Sequence, residues 1–166
     1  MNLVRILRHL IVEGSARRRF PERVLDAIQH TVAAGERRHH EQVCFAAEGA
    51  LSFGALWQGI SPRDRAQEVF ARLRVWDTQR NSGVLIYVLL ADHAIEIVAD
   101  RGIAAQVDAK QWESICTQME KRFVAGEFEQ GAIEGVTAVS DILAKHFPRD
   151  ENSSAANELP DRPVLL

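Results

Sequence analysis

A chain of 166 residues with 46% hydrophobic and 26% charged residues has the size and make-up of one globular domain, which excludes disordered and fibrous classes. Its net charge of −3, without a basic stripe interleaved with aromatics, argues against nucleic acid as a partner. The longest apolar run, Val84 to Ala91, falls well short of the roughly 20 residues that cross a bilayer, so no integral membrane segment is expected.

The charge is unevenly spread. Residues 1–40 carry eight arginines against four acids, giving +4 and leaving −7 on the remainder. A basic end of this kind serves an anionic partner or is simply a solvated helix face. Arg5 and Arg8 interrupt the N-terminal apolar residues and no small-residue cleavage site follows, so a targeting signal is not expected. Cys44 and Cys116 lie in apolar-periodic segments without CxxC spacing, as buried thiols of a reducing compartment do. Together these readings place the chain in the cytoplasm.

Leu3, Ile6, Leu7, Leu10 and Ile11 recur at helical spacing and predict a short amphipathic helix. Arg17-Arg18-Arg19 forms a basic linker, and Pro21 opens a second helix with Val24, Leu25, Ile28 and Val32 on one face, stopping near Gly35. From Glu41 the period changes to two, with Val43, Phe45 and Ala47 alternating, which predicts a strand. Residues 49–60 read equally as a short helix or a packed loop. Ser61-Pro62, with Asp64 at the third position, starts a helix whose inner face is Ala66, Val69, Phe70 and Leu73.

After the turn Asn81-Ser82-Gly83, the unbroken run Val84–Ala91 has the pattern of a strand covered on both faces. Asp92-His93 reads as a tight turn returning the chain as a strand over Ala94–Ala99. A helix from Asp108 to about Ala125 carries Trp112, Ile115, Cys116, Met119 and Phe123 on one face. The last helix spans about Phe128–Phe147, with Ile133, Val136, Val139, Leu143 and Phe147 inward. Beyond Pro148 the period is lost, and residues 148–166 read as a disordered tail. The expected organisation is therefore N-terminal helices over 1–35 packed on an α/β domain over 36–147, then the tail. The fold class is a three-layer α/β/α sandwich with a small mixed sheet and a central β-hairpin.

GxGxxG, the phosphate-binding P-loop, HExxH and GxSxG are all absent from the sequence. His39 and His40 are adjacent at the start of a strand, where neighbours point to opposite faces, and so are poorly placed to share a metal. What remains are acids at turns: Asp77, Asp100 beside Arg101, and Asp108. If they converge at strand C-termini they suit a hard cation, Ca²⁺ or Mg²⁺. Each also has a local role to hand: a turn cap for Asp77, an ion pair for Asp100 with Arg101, a helix N-cap for Asp108.

The stretches Arg74-Val75-Trp76-Asp77-Thr78, Asn81-Ser82-Gly83-Val84-Leu85-Ile86-Tyr87, Ala91-Asp92-His93 and Glu96-Ile97-Val98-Ala99-Asp100-Arg101-Gly102-Ile103, with Gly126-Glu127-Phe128, Gly131 and Gly135 downstream, resemble the TPM-domain family in its short soluble bacterial branch. The resemblance covers residues 36–147. It implies an α/β/α sandwich, divalent-cation binding in some members and acid-phosphatase activity in one, with many members on membrane-anchored chains. By position it makes Asp108 the family's acid after the glycine-containing loop, and Asn81 with Gly83 its Asn-Gly pair. One departure stands out. Where many relatives read Gly-Leu-Glu, this chain reads Gly102-Ile103-Ala104, without the carboxylate.

Two functions follow as expectations. The first is a non-catalytic interaction or accessory module that docks on a protein, either a membrane-associated or an assembly partner, through the arginine-rich N-terminal helices. The alternative is a Ca²⁺ or Mg²⁺ site with Asp77, Asp100 and Asp108 as ligands, where Asn81 and Arg101 orient an anionic group for weak phosphatase-type hydrolysis.

Overall fold

The computed structural model describes residues 3–12, 14–149 and 157–166. Helices α1 (Leu3–Val12), α2 (Ser15–Arg19) and α3 (Glu22–Glu36) lead into strand β1 (Gln42–Glu48). Helices α4 (Phe53–Trp57) and α5 (Pro62–Arg72) connect β1 to β2 (Gly83–Leu89). A 3-10 turn at Leu90–Asp92 joins β2 to β3 (Ala94–Ala99), and α6 (Arg101–Ala104), α7 (Ala109–Val124) and α8 (Phe128–His146) follow. A short strand β4 (Val164–Leu165) closes the chain.

The sheet order is β3-β2-β1-β4. β2 runs parallel to β1, with Val43 opposite Val84, and antiparallel to β3, with Val84 opposite Ala99. The run Val84–Leu89 is thus an interior strand, and every residue of it is buried. Its alternation divides the core. Val84, Ile86 and Val88 join Phe45, Val32, Ile115, Met119 and Val136 under α3, α7 and α8. Leu85, Tyr87 and Leu89 join Cys44, Leu56, Ala66 and Val69 under α4 and α5. Two separate apolar clusters on either side of one sheet are what a three-layer sandwich requires. Gly131 and Gly135 of α8 explain how tightly its layer closes: a Cβ at Gly135 would lie 2.3 Å from Met119 Sδ of α7.

Local chemistry accounts for most boundaries. Ser61 and Asp64 form the reciprocal capping box of α5, with Pro62 in the first turn. Residues 53–57, undecided from sequence, become helical because Ser52 accepts the Ala55 amide at 3.3 Å. His93 takes the left-handed conformation (φ 52°) that the hairpin turn needs after its 3-10 segment.

Two sequence expectations are corrected. The predicted disordered tail over 148–166 does not hold for its last ten residues. Leu159 is buried, Gln42 Oε1 accepts the amides of Glu158 at 2.8 Å and Leu159 at 3.0 Å, and β4 pairs in parallel with Ala46–Ala47. A two-residue strand against a free sheet edge carries no periodicity to detect. Residues 150–156 of that expectation lie outside the described residues. The second correction concerns α1. The helix forms, but its apolar stripe does not face the core: Leu3, Val4, Leu7, Leu10 and Ile11 are 59–74% exposed, and the buried residue is His9.

Candidate functional site

β3 is antiparallel to its neighbour, so its C-terminal end lies at the N-terminal ends of β1 and β2, not at their C-terminal rim. This corrects the expected placement of the acids. At that end Asn81 takes a left-handed conformation (φ 52°) and its carbonyl accepts the Gly102 amide at 3.1 Å. The Arg101 guanidinium donates to Asn81 Oδ1 at 3.3 Å. Asp100 is buried, its amide donates to Gly83 O at 2.9 Å, and its Oδ1 accepts the Arg101 amide at 2.7 Å as the cap of α6. Asn81, Asp100 and Arg101 are therefore brought together, and the contact of Asp100 with Arg101 is a backbone cap in place of the expected ion pair.

Asp77 and Asp108 serve locally. Asp77 is held by Arg74 at 2.5 Å on an exposed turn. Asp108 caps α7 by accepting the Lys110 amide at 2.9 Å. Among the described residues, no three His, Cys, Asp or Glu side chains are grouped so as to hold a metal ion. A hard cation takes six or more oxygen ligands. Where Asn81, Asp100 and Arg101 meet, the one acid is Asp100, whose Oδ1 already serves as a cap and whose Oδ2 is buried without a hydrogen bond, while Asp77 and Asp108 are engaged by Arg74 and by the Lys110 amide. The donor set does not fit Ca²⁺ or Mg²⁺.

The opposite end of the sheet holds a polar constellation that sequence reading missed. Glu48, the last residue of β1, is buried. Arg65 of α5 clasps it through Nε and Nη2 at 2.9 Å each, and the Tyr87 hydroxyl donates to its Oε2 at 2.6 Å. Burial first, and then the Glu48 carboxylate, push the Tyr87 phenol well above its usual range, so it stays a hydrogen-bond donor. Beside this lies Asp92 in the hairpin turn. It accepts from Arg5 Nη2 at 2.7 Å and Nε at 3.0 Å, from His9 Nε2 at 3.1 Å, and from Arg8 Nη2 at 3.4 Å. Burial alone would raise the Asp92 carboxyl, but the Arg5 and His9 hydrogen bonds and charges outweigh it and hold it below the usual carboxylate range. The Leu51 amide donates to His9 Nδ1 at 2.9 Å, which places the ring proton on Nε2, facing Asp92.

These contacts fix which way α1 is rolled. Arg5 and His9 are four residues apart, hence on one face, and that face is clamped to the domain. A signal for this existed in the sequence: Arg5, Arg8 and His9 make the only polar stripe on an otherwise apolar helix. Between α1 and the C-terminal ends of β1 and β4 runs a groove of about 590 Å³, lined by Leu10, Arg17, Leu51, Phe53, Leu56 and Leu165 among others. Phe53, which also lines it, and Trp57 in the same helix are 61% and 66% exposed, their rings 6.1 Å apart. Burial pushes both thiols, Cys44 and Cys116, up to about 12, which makes neither a nucleophile at neutral pH.

Among the described residues, no helix is long and apolar enough to cross a membrane. No curated protein matches the chain. The NMR structure of the BA42 protein from the psychrophilic bacterium Bizionia argentinensis is similar to it, with a TM-score of 0.74 and 27% identity over 86% of this chain and 92% of that one. The family model described as the TPM domain matches residues 20–142, which is most of the sandwich from two residues before α3 to the last turns of α8, and the chain belongs to the TPM-domain family.

Proposed function

We propose that the protein is a non-catalytic docking module whose working surface is the outward face of α1 together with Phe53 and Trp57 of α4. The observation that carries this reading is the inverted helix. A polar clamp on Asp92 turns five apolar side chains to water, where folding alone gains nothing from them. Surface apolar residues scattered singly are ordinary, but seven on two neighbouring helices flanking one groove form a patch of the kind that contacts a partner. The acids expected as cation ligands are engaged separately, Asp77 by Arg74, Asp100 as the cap of α6 and Asp108 as the cap of α7. No hydrolytic step is assigned to them.

The test is a native-state apolar dye such as ANS, compared between the wild type and the triple variant Leu3→Ser, Leu7→Ser, Ile11→Ser. The native wild type should bind the dye and the variant should lose most of that signal. Because these side chains touch nothing inside, its unfolding free energy should change by less than about 1 kcal/mol. A variant destabilised by several kcal/mol, or a wild type that ignores the dye, would show the face is already covered.

A further inference from the structure

We infer that the occupant of this surface is an anionic lipid bilayer, on which α1 lies in the interfacial plane; this rests on the docking reading above. The sequence of α1 is that of an interfacial helix. Leucine, isoleucine and valine make one face, and arginine and histidine the other, over ten residues. Phe53, which lines the groove with Leu10, and Trp57 in the same short helix add the aromatic residues that favour the boundary between acyl chains and headgroups.

Charge complementarity sets the sign of the partner. Gly14, in the left-handed conformation (φ 73°), turns the chain from α1 directly into exposed Arg17 and Arg18, and Arg17 lines the same groove as Leu10 and Phe53. Among the described residues, no carboxylate lies within 4 Å of Arg17 or Arg18, whereas Arg5, Arg23 and Arg38 are each committed to an acid. Residues 1–40 carry +4 and the remainder −7, so an anionic surface is favoured at the basic segment over the rest of the chain. A second copy of the chain is the poorer fit. A two-fold contact through this face would bring two like-charged basic segments into one interface. The helix is already folded and clamped before contact, so binding has no segment to order.

The experiment is co-sedimentation of the full chain with vesicles of pure phosphatidylcholine and of phosphatidylcholine mixed with phosphatidylserine. Alongside it run sedimentation equilibrium without lipid and the dye assay above. Binding to the serine-containing vesicles should be at least tenfold tighter than to phosphatidylcholine. It should fall steeply in about 1 M salt, where the Debye length is about 3 Å. Leu7→Glu with Ile11→Glu should abolish it. Arg17→Gln with Arg18→Gln should weaken it by about 25-fold, roughly fivefold for each arginine near an anionic surface. Trp76→Glu, at an exposed apolar site beside the start of β2 and so at the opposite end of the sheet, should leave it unchanged. Absence of binding to anionic vesicles, equal binding to both vesicle types, or a dimer dissolved by Leu7→Glu with Ile11→Glu each overturns the lipid assignment. With dye binding intact, such a result leaves the docking surface standing; loss of both removes the surface itself.

Discussion

Replacing Asp92 by alanine should release α1 while leaving the sandwich folded. The carboxylate is largely buried and accepts from Arg5, His9 and Arg8, so its loss leaves a guanidinium and an imidazole N–H facing the domain without their acceptor. Breaking a buried pair by removing one partner costs about 3–5 kcal/mol. The lower end applies here, because Arg5 still donates to Ile60 O at 2.8 Å and keeps some contact with water. The apolar grip of α1 on the domain is small: Ile6 is its one side chain packed against the inner cluster, contributing about 1–2 kcal/mol. A ten-residue helix is marginal by itself, so about 3 kcal/mol, roughly a hundredfold in the docking equilibrium, moves α1 from held to free. Native-state hydrogen exchange reads this directly. Amides in the last turns of α1 should lose about two orders of magnitude of protection. So should the amide of Leu51, 42 residues away, whose acceptor is His9 Nδ1. Amides of β2 should keep the protection of global unfolding. Unchanged exchange at Leu51 would refute the clamp, and equal losses in β2 and α1 would refute its being local.

Glu36 offers a pH signature. Burial pushes its carboxyl up to about 7, with the Val43 amide it accepts at 2.8 Å pulling the other way. A folded value above the unfolded one means that its contribution is fully present below about 4.5 and is lost as pH rises through about 7. Glu36→Gln should therefore lose about 1–2 kcal/mol less than the wild type over that window, the full shift being reduced by solvent screening. Chemical denaturation at both ends of the window tests this, and parallel curves would exclude it; Glu41 and His39 contribute to both proteins alike. Two glycines make a contrasting pair. A Cβ at Gly83 would lie 1.9 Å from the Val75 carbonyl oxygen, so Gly83→Ala should cost about 3 kcal/mol or more, whereas Gly54→Ala in α4 meets nothing within 4 Å and should gain about 0.5–1 kcal/mol. Thermal melts that rank the two the other way would contradict the packing at the start of β2.

The sandwich was legible because its signals are local and long. Val84–Ala91 reads as a doubly covered strand on apolarity alone; Val84–Leu89 is one, and the run overshoots by two residues because Leu90 and Ala91 already belong to the 3-10 turn. Ser61, Asp64 and Asp108 announce helix starts through cap chemistry confined to three or four residues. The site was less legible, since it depends on which ends of strands meet. Asp100 was expected at a C-terminal rim because β3 ends there, yet the direction of β3 relative to β1 and β2 is set by pairing and not by composition. Glu48 and Arg65 are 17 residues apart and Arg5 and Asp92 are 87 apart, so no spacing rule connects them.

The inversion of α1 follows from the layer count. A sheet has two faces, and here α3, α7 and α8 fill one while α4 and α5 fill the other. An additional amphipathic helix finds no apolar sheet surface left and must settle at an end of the sheet. There the chain turns, and a turn presents carbonyls and side chains such as Ile60 O, the Leu51 amide and the Asp92 carboxylate. The helix binds that rim with whichever face answers it, which is the face of Arg5 and His9. Periodicity correctly finds the apolar stripe, but whether the stripe turns inward depends on whether an unfilled apolar layer remains. Among the described residues none does, so the polar face becomes the attachment and the hydrophobic face is left exposed.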